Sequence, residues 1–227
     1  MINLDSIWAQ MEQEQQWRTD EIRFFDNQAS RMEGISNQDR FRRANILLLY
    51  SHYEGFCKFA FNLYINSVNS AGLFLADVNY SLVAASLSTV FKELRNQAAK
   101  AVEFRNTLPD DSKLHVFARD KAFLENISQY EGRGVSIQDT VVDTESNLKP
   151  AVLRKNLFRL GFRYDGLRPI EGDIHTLIGI RNEIAHGASS RGIPADEYLK
   201  FREAAFNVMN EIKRYVMNAL QNEEYRR

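Results

Sequence analysis

Arg181, Asn182 and His186 lie within one short stretch, Ile180-Arg181-Asn182-Glu183-Ile184-Ala185-His186-Gly187. Their side chains suit phosphodiester chemistry. An imidazole exchanges a proton near neutral pH and serves as base or acid. A guanidinium presents a planar fork of donors to a phosphate, where charge builds as phosphorus becomes five-coordinate. RNA can be cleaved without metal when its own 2′-hydroxyl attacks the adjacent phosphorus. That reaction needs one group to take the proton, one to protonate the departing 5′-oxygen, and a cation to steady the non-bridging oxygens. His186 fits the base or acid, Arg181 the charge stabiliser, and Asn182 a group that orients His186 or the phosphate. DNA has no 2′-hydroxyl and would be left intact.

The element that must position these groups is a helix running from Ile174 to His186. Asp173 is suited to its N-cap, and Gly187 to the left-handed position just past its end. Ile174, Leu177, Ile178, Arg181 and Ala185 recur at helical spacing, so the face that enters the core ends in a guanidinium, which needs a partner there. Asn182 and His186, four apart, share one side of the helix. Arg181 and His186, five apart, diverge by about 140° on a regular helix. One copy therefore does not aim both at one atom, whereas two copies across a two-fold axis could pool an Arg and a His from each chain. The alternative is a hydrogen-bonding Arg–Asn–His cluster that caps the helix and fixes a dimer interface.

Arg181-Asn182 followed four residues later by His186 fits an R-x4-6-H signature and resembles the HEPN superfamily of small helical ribonucleases of toxin–antitoxin, phage-defence and RNA-processing systems. Leu49-Tyr50-Ser51-His52-Tyr53-Glu54-Gly55-Phe56, Ser146-Asn147-Leu148 and Leu160-Gly161-Phe162 look like one nuclease-typed branch of it, and the likeness spans roughly residues 40 to 220. The resemblance implies an all-α, multi-helix bundle and a metal-independent endoribonuclease that leaves a 2′,3′-cyclic phosphate. It also implies a homodimer with a composite site, no cofactor and no metal. It carries the catalytic roles to Arg181, Asn182 and His186, and makes Glu54 a neighbour that could hold Arg181 or orient His186. Prokaryotic defence or toxin action is the implied setting, which allows an antitoxin or regulatory protein as a partner. Where one branch has a tyrosine two residues after the histidine as the target of AMP transfer, this chain has Ala188, so that mode of regulation is not carried over. Relatives that keep the fold without catalysis supply the alternative, a helical dimer that binds RNA or protein.

The chain has 227 residues, 44% hydrophobic and 26% charged, with a formal net charge of −1. That is enough to build a core in one domain over 1–227, with an insert at about 130–147. Near-neutrality means that any nucleic-acid site must be a local patch. The single Cys57 forms no internal disulfide, no Cys/His spacing of the metal-ligand kind occurs, and neither a leader pattern nor a membrane-length apolar run is present. A cytoplasmic protein is expected.

In chain order, Leu4, Ile7, Trp8, Met11, Arg18, Ile22, Phe25, Ala29 and Met32 predict one long helix ending near Gly34. Ser36 with Asp39 resembles the start of a second helix. Its stripe of Ile46, Leu49, Tyr50, Tyr53, Phe56, Cys57, Ala60, Leu63 and Tyr64 is the most apolar in the chain and belongs at the core. On it, His52 reads as a boundary residue, and Glu54 has a second option in an i,i+4 pair with Lys58. Residues 69 to 80 read as a turn, Leu82 to Phe104 as a third helix, Asn106 to Asp111 as a break around Pro109, and Lys113 to Asn126 as a fourth helix. β-Branched segments near 133–143 suggest a small hairpin or an extended insert.

Pro150 opens a helix to Leu160, which Gly161 closes. Lys149, Arg154, Lys155, Arg159, Arg163 and Arg168 against the lone acid Asp165 make the strongest local positive patch, interleaved with Phe158, Phe162 and Tyr164. Lys149, Arg154, Lys155, Arg159 and Arg163 are candidate RNA-backbone contacts, with exposed rings available for stacking; the plainer reading is a solvated face whose phenylalanines are core. Ala188 to Ile193 should form a mobile loop, and Pro194 starts a last long helix before a frayed 222–227 tail. There is no P-loop, G-x-S-x-G or H-E-x-x-H, and Asp110-Asp111 is better explained as a helix start than as a metal site.

Overall fold

The computed structural model describes residues 2–101, 104, 112–162 and 165–227. Its helices are α1 (Leu4–Arg31), α2 (Ile35–Asn69), α3 (Tyr80–Ser86), α4 (Ser88–Leu94), α5 (Ser112–Glu125), α6 (Ile127–Glu131), α7 (Pro150–Arg159), α8 (Glu171–Ala185) and α9 (Ala195–Gln221), with 3-10 turns at Asp139–Val141 and Asp165–Ile170. The architecture is all-α. Among the described residues the only β pairing is two isolated bridges, Phe74 with Gly134 and Val78 with Arg226.

α2 is the axis. Tyr53, Phe56, Cys57, Ala60, Phe61 and Tyr64 are sealed from solvent along it, and α9, α1 and α8 pack around it. Each large apolar side chain so buried contributes roughly 1.5–3 kcal/mol. α1 starts where the Asn3 side chain accepts from the Ser6 N–H at 3.0 Å, a regular N-cap. α1 and α9 are joined at their rims by three polar rungs: Gln15 to Asn210 at 2.6 Å, Lys213 to Glu12 at 2.6 Å, and Arg202 to Asp26 at 2.6 Å.

Several local expectations change. The third helix is two short ones hinged at Leu87 and ended by Leu94. The break expected around Pro109 falls outside the described residues. α2 begins at Gly34, which takes φ +82°, with no side-chain cap from Ser36. The 133–143 insert is extended rather than a hairpin. Val135 and Leu75 pair with the backbone of Leu73 and Arg133, the Asn69 amide brackets Ile137 at 2.8 and 2.9 Å, and Val135, Ile137 and Val142 are buried. A lone hairpin is marginal, so the segment pairs with the bundle instead of with itself. The tail is held: Arg227 stacks 4.3 Å over Tyr80 and donates to the Val78 carbonyl at 3.0 Å, and Tyr225 is buried.

The 188–193 segment is anchored on α2, with the Ile193 N–H donating to the Asp39 carbonyl at 3.0 Å. Gly192 is needed there, because a Cβ would meet the Asp39 Cβ at 2.6 Å. Among the described residues no helix is long and apolar enough to cross a membrane.

Candidate functional site

α8 begins at Glu171, so Asp173 sits in its first turn rather than at its cap and pairs with Lys200 at 2.8 Å. Ile174, Leu177 and Ile178 are buried against the bundle, which fixes the rotation of the helix and leaves Arg181 half-buried at the edge of the core. The helix ends in a Schellman turn. Gly187 takes φ +69°, its N–H donates to the Ile184 carbonyl at 3.1 Å, and the Ala188 N–H to the Glu183 carbonyl at 2.8 Å.

The partners of the Arg181 guanidinium are uncharged. Nη1 donates to Asn147 Oδ1 at 3.1 Å and to Asn182 Oδ1 at 2.8 Å, and the guanidinium carbon lies 4.5 Å from the centre of the Tyr50 ring. Some half-buried arginines carry an ion pair, Arg42 with Asp39 at 2.7 Å and Arg202 with Asp26 at 2.6 Å, whereas Arg119, like Arg181, is held by uncharged acceptors, the carbonyls of Leu94 and Ala99. Among the described residues no carboxylate forms an ion pair with Arg181. Its charge is held in place by dipoles and a π-face rather than by a direct ion pair.

Tyr50 links the arginine to Glu54. Its hydroxyl accepts from the Leu148 N–H at 2.9 Å, and the Glu54 carboxylate lies beside it one turn along α2. Burial, reinforced by that carboxylate, pushes the phenol well above its ordinary range, so it stays a donor. Tyr53 donates to the carbonyl of the same Leu148 at 2.7 Å. Arg181, Glu54, Tyr50, Ser51, Lys58 and Ala185 then line an open pocket of about 390 Å³. Glu54 forms no ion pair with Lys58, so the lysine faces this pocket as a second cation.

The structure thus brings together three of the four residues assigned to catalysis, and the fourth lies apart. Glu54 shares the pocket with Arg181, and Asn182 is bound to Arg181 rather than to the imidazole. His186 is the C-cap of α8, exposed, with its backbone N–H on the Asn182 carbonyl at 3.0 Å, and it does not line that pocket. This agrees with the divergence expected from helical geometry.

Two residues of the basic stretch are compensated by carboxylates. Arg154 holds Glu171 at 2.8 and 3.0 Å, Lys155 holds Glu145 at 2.8 Å, and Arg159 donates to the Val141 carbonyl at 3.3 Å, while Lys149 is exposed at the start of α7. Arg163 and Tyr164 lie outside the described residues. The two phenylalanines part ways: Phe162 packs on Tyr64 at 4.7 Å in the core, and Phe158 is 68% exposed. His52 is buried rather than at a boundary, edge-on to Trp17, with Nε2 2.7 Å from Glu21 Oε2. Burial lowers its pKa below the usual value against the pull of Glu21.

Sequence reasoning missed Asn147 and Tyr50 as parts of the site. Both stood in stretches that resemble the nuclease branch, but neither was given a role there; for Tyr50 the spacing of four from Glu54 was a usable signal. Asn147 stands 34 positions from Arg181, beyond any helical pattern.

The sequence model of the HEPN_MAE_28990-like HEPN family matches residues 7–225. No curated protein and no solved structure matches the chain. With a family match over nearly its whole length, an all-helical bundle, and the Arg181–His186 stretch closing α8, the chain belongs to the HEPN superfamily.

Proposed function

We propose that this protein is a metal-independent endoribonuclease acting as a homodimer, in a prokaryotic defence or toxin setting. The observation that carries the reading is Arg181, a guanidinium fixed by two amides and a tyrosine ring, without a direct ion pair, and lining a pocket with Lys58 and Glu54. A fixed cation with no direct ion pair suits a phosphate whose charge grows in the transition state, and Glu54 across the same pocket is placed to act beside it.

In this reaction the 2′-oxygen of RNA forms a bond to phosphorus as the P–O5′ bond breaks. The 2′-proton passes to a base, and the departing 5′-oxygen receives a proton from an acid. His186 takes one of these roles and Arg181 binds the non-bridging oxygens. Because His186 lies outside the Arg181 pocket of its own chain, the reading requires a second copy to bring an imidazole to it, and the solvent exposure of His186 leaves it available. The same separation favours a second reading, a non-catalytic module that binds RNA or protein through the Arg181 pocket.

The test is cleavage of end-labelled single-stranded RNA, with a DNA control, in excess chelator, by wild type, His186→Ala and Arg181→Ala. RNA-only cutting that leaves a 2′,3′-cyclic phosphate and is lost in both variants is expected. A folded, dimeric wild type that binds RNA without cutting it turns the assignment to the binding module. Cutting unchanged in both variants overturns the site.

A further inference from the structure

Asn147 comes from a tightly built turn. The two residues before it, Glu145 at φ 48° and Ser146 at φ 65°, are consecutive and left-handed, a backbone that residues other than glycine rarely take. The surroundings over-determine it. The Asn147 N–H donates to the Thr144 carbonyl at 2.8 Å, and the Glu145 N–H to Asp143 Oδ1 at 2.8 Å. From α7, the fully buried Asn156 pairs with both peptide groups of Asp143 at 2.8 and 3.2 Å, and Lys155 holds the Glu145 carboxylate. Leu148 is gripped at both ends by the hydroxyls of Tyr50 and Tyr53. What this turn delivers toward α8 is one amide oxygen, 3.1 Å from Arg181 Nη1. Rare backbone held this firmly marks positions where geometry serves function.

We infer that Asn147 is a positioning residue that holds Arg181 through an uncharged acceptor, so that the guanidinium is aimed while its charge stays available to a phosphate. This rests on the nuclease reading of the same pocket for its substrate, and on the pocket's geometry for everything else. An aspartate in this place would keep the shape and the hydrogen bond, and would make it stronger by adding charge. Phosphate would then compete with an internal carboxylate for the same cation. A purely structural role would be preserved or improved by that change; the positioning role is spoiled by it.

The experiment compares wild type with Asn147→Asp and Asn147→Leu. Two probes are used: a fluorescent single-stranded 2′-O-methyl RNA, which lacks the attacking hydroxyl, read by anisotropy across a salt series, and inorganic pyrophosphate, read by calorimetry. Urea unfolding is recorded alongside. Asn147→Asp is expected to bind both probes about tenfold more weakly, with a salt slope shallower by about 0.7, the loss of one phosphate contact on a single strand, and an unfolding midpoint no lower than wild type. Asn147→Leu loses affinity without that change of slope, since the charge remains and only its aim is lost.

Equal binding of both probes by Asn147→Asp and wild type overturns the inference, as does a wild type that binds neither. If pyrophosphate binding falls in Asn147→Asp while wild type never cleaves natural RNA, the clamp stands and the nuclease reading falls. If wild type cleaves RNA and Asn147→Asp does so with unchanged KM and kcat, the nuclease reading stands and the clamp falls.

Discussion

Replacing Tyr53 by Phe removes one oxygen from the most enclosed hydrogen bond around the site. The hydroxyl donates to the Leu148 carbonyl at 2.7 Å, Tyr53 is sealed from solvent, and Leu148 is 1% exposed. Because phenylalanine fills nearly the same space, the cavity contribution is small. What remains is an orphaned carbonyl that water cannot reach, worth about 1–3 kcal/mol, and the depth of burial places this case near 2 kcal/mol. For a chain of this length a urea slope of about 2–3 kcal/mol per molar turns that into a midpoint lowered by roughly 0.8 M, with the slope itself unchanged. Burial holds the Tyr53 phenol well above its ordinary range, so the hydroxyl is a donor throughout pH 5–9 and the loss should be the same at every pH in that window. Equilibrium urea unfolding, followed by far-UV circular dichroism at three pH values, measures it. A loss below about 0.5 kcal/mol would show that the carbonyl has another partner or that water enters, and the account of how Leu148 is held would be wrong.

His52 gives a pH dependence of known sign. Its folded pKa is lowered by burial, so the unfolded chain binds the proton more readily; the stability it contributes is full above the ordinary histidine value and is lost as pH falls through and below it. Its neighbours Glu21, Arg18 and Trp17 set that balance, and His52→Gln should flatten the urea midpoint against pH between 5 and 7 relative to wild type; a wild type that gains stability on acidification would mean that Glu21 outweighs burial. Gly187→Ala meets no atom within 4 Å, so its cost is the left-handed backbone alone, about 1 kcal/mol of unfolding free energy, and a neutral result would contradict the Schellman geometry at the end of α8.

The long helices were legible because their apolar residues recur by three and four over many turns, as in Ile46 to Tyr64 of α2 and Tyr198 to Ala219 of α9. The site helix was legible for the same reason, with Gly187 marking its end. What escaped is decided across the fold rather than along it. Glu145 and Ser146 carry no glycine to announce their left-handed backbone. Arg154 and Lys155 read as free cations until α8 and the turn before α7 supply Glu171 and Glu145. Phe158 and Phe162 look alike in sequence, yet α7 buries Val152, Leu153, Asn156 and Leu157 and so turns Phe158 outward. The uncharged grip on Arg181 joins residues from three separate segments.

The rungs between α1 and α9 span separations of 176 to 201 residues, and α2 has its largest contact with the same late helix. During synthesis at about 5–20 residues per second, α2 leaves the ribosome roughly 10 s before α9 exists to cover it. For that interval the most apolar surface in the chain has no native cover on its α9 side, the kind of exposure that makes a nascent chain prone to aggregation. Its closure waits for the arrival of α9.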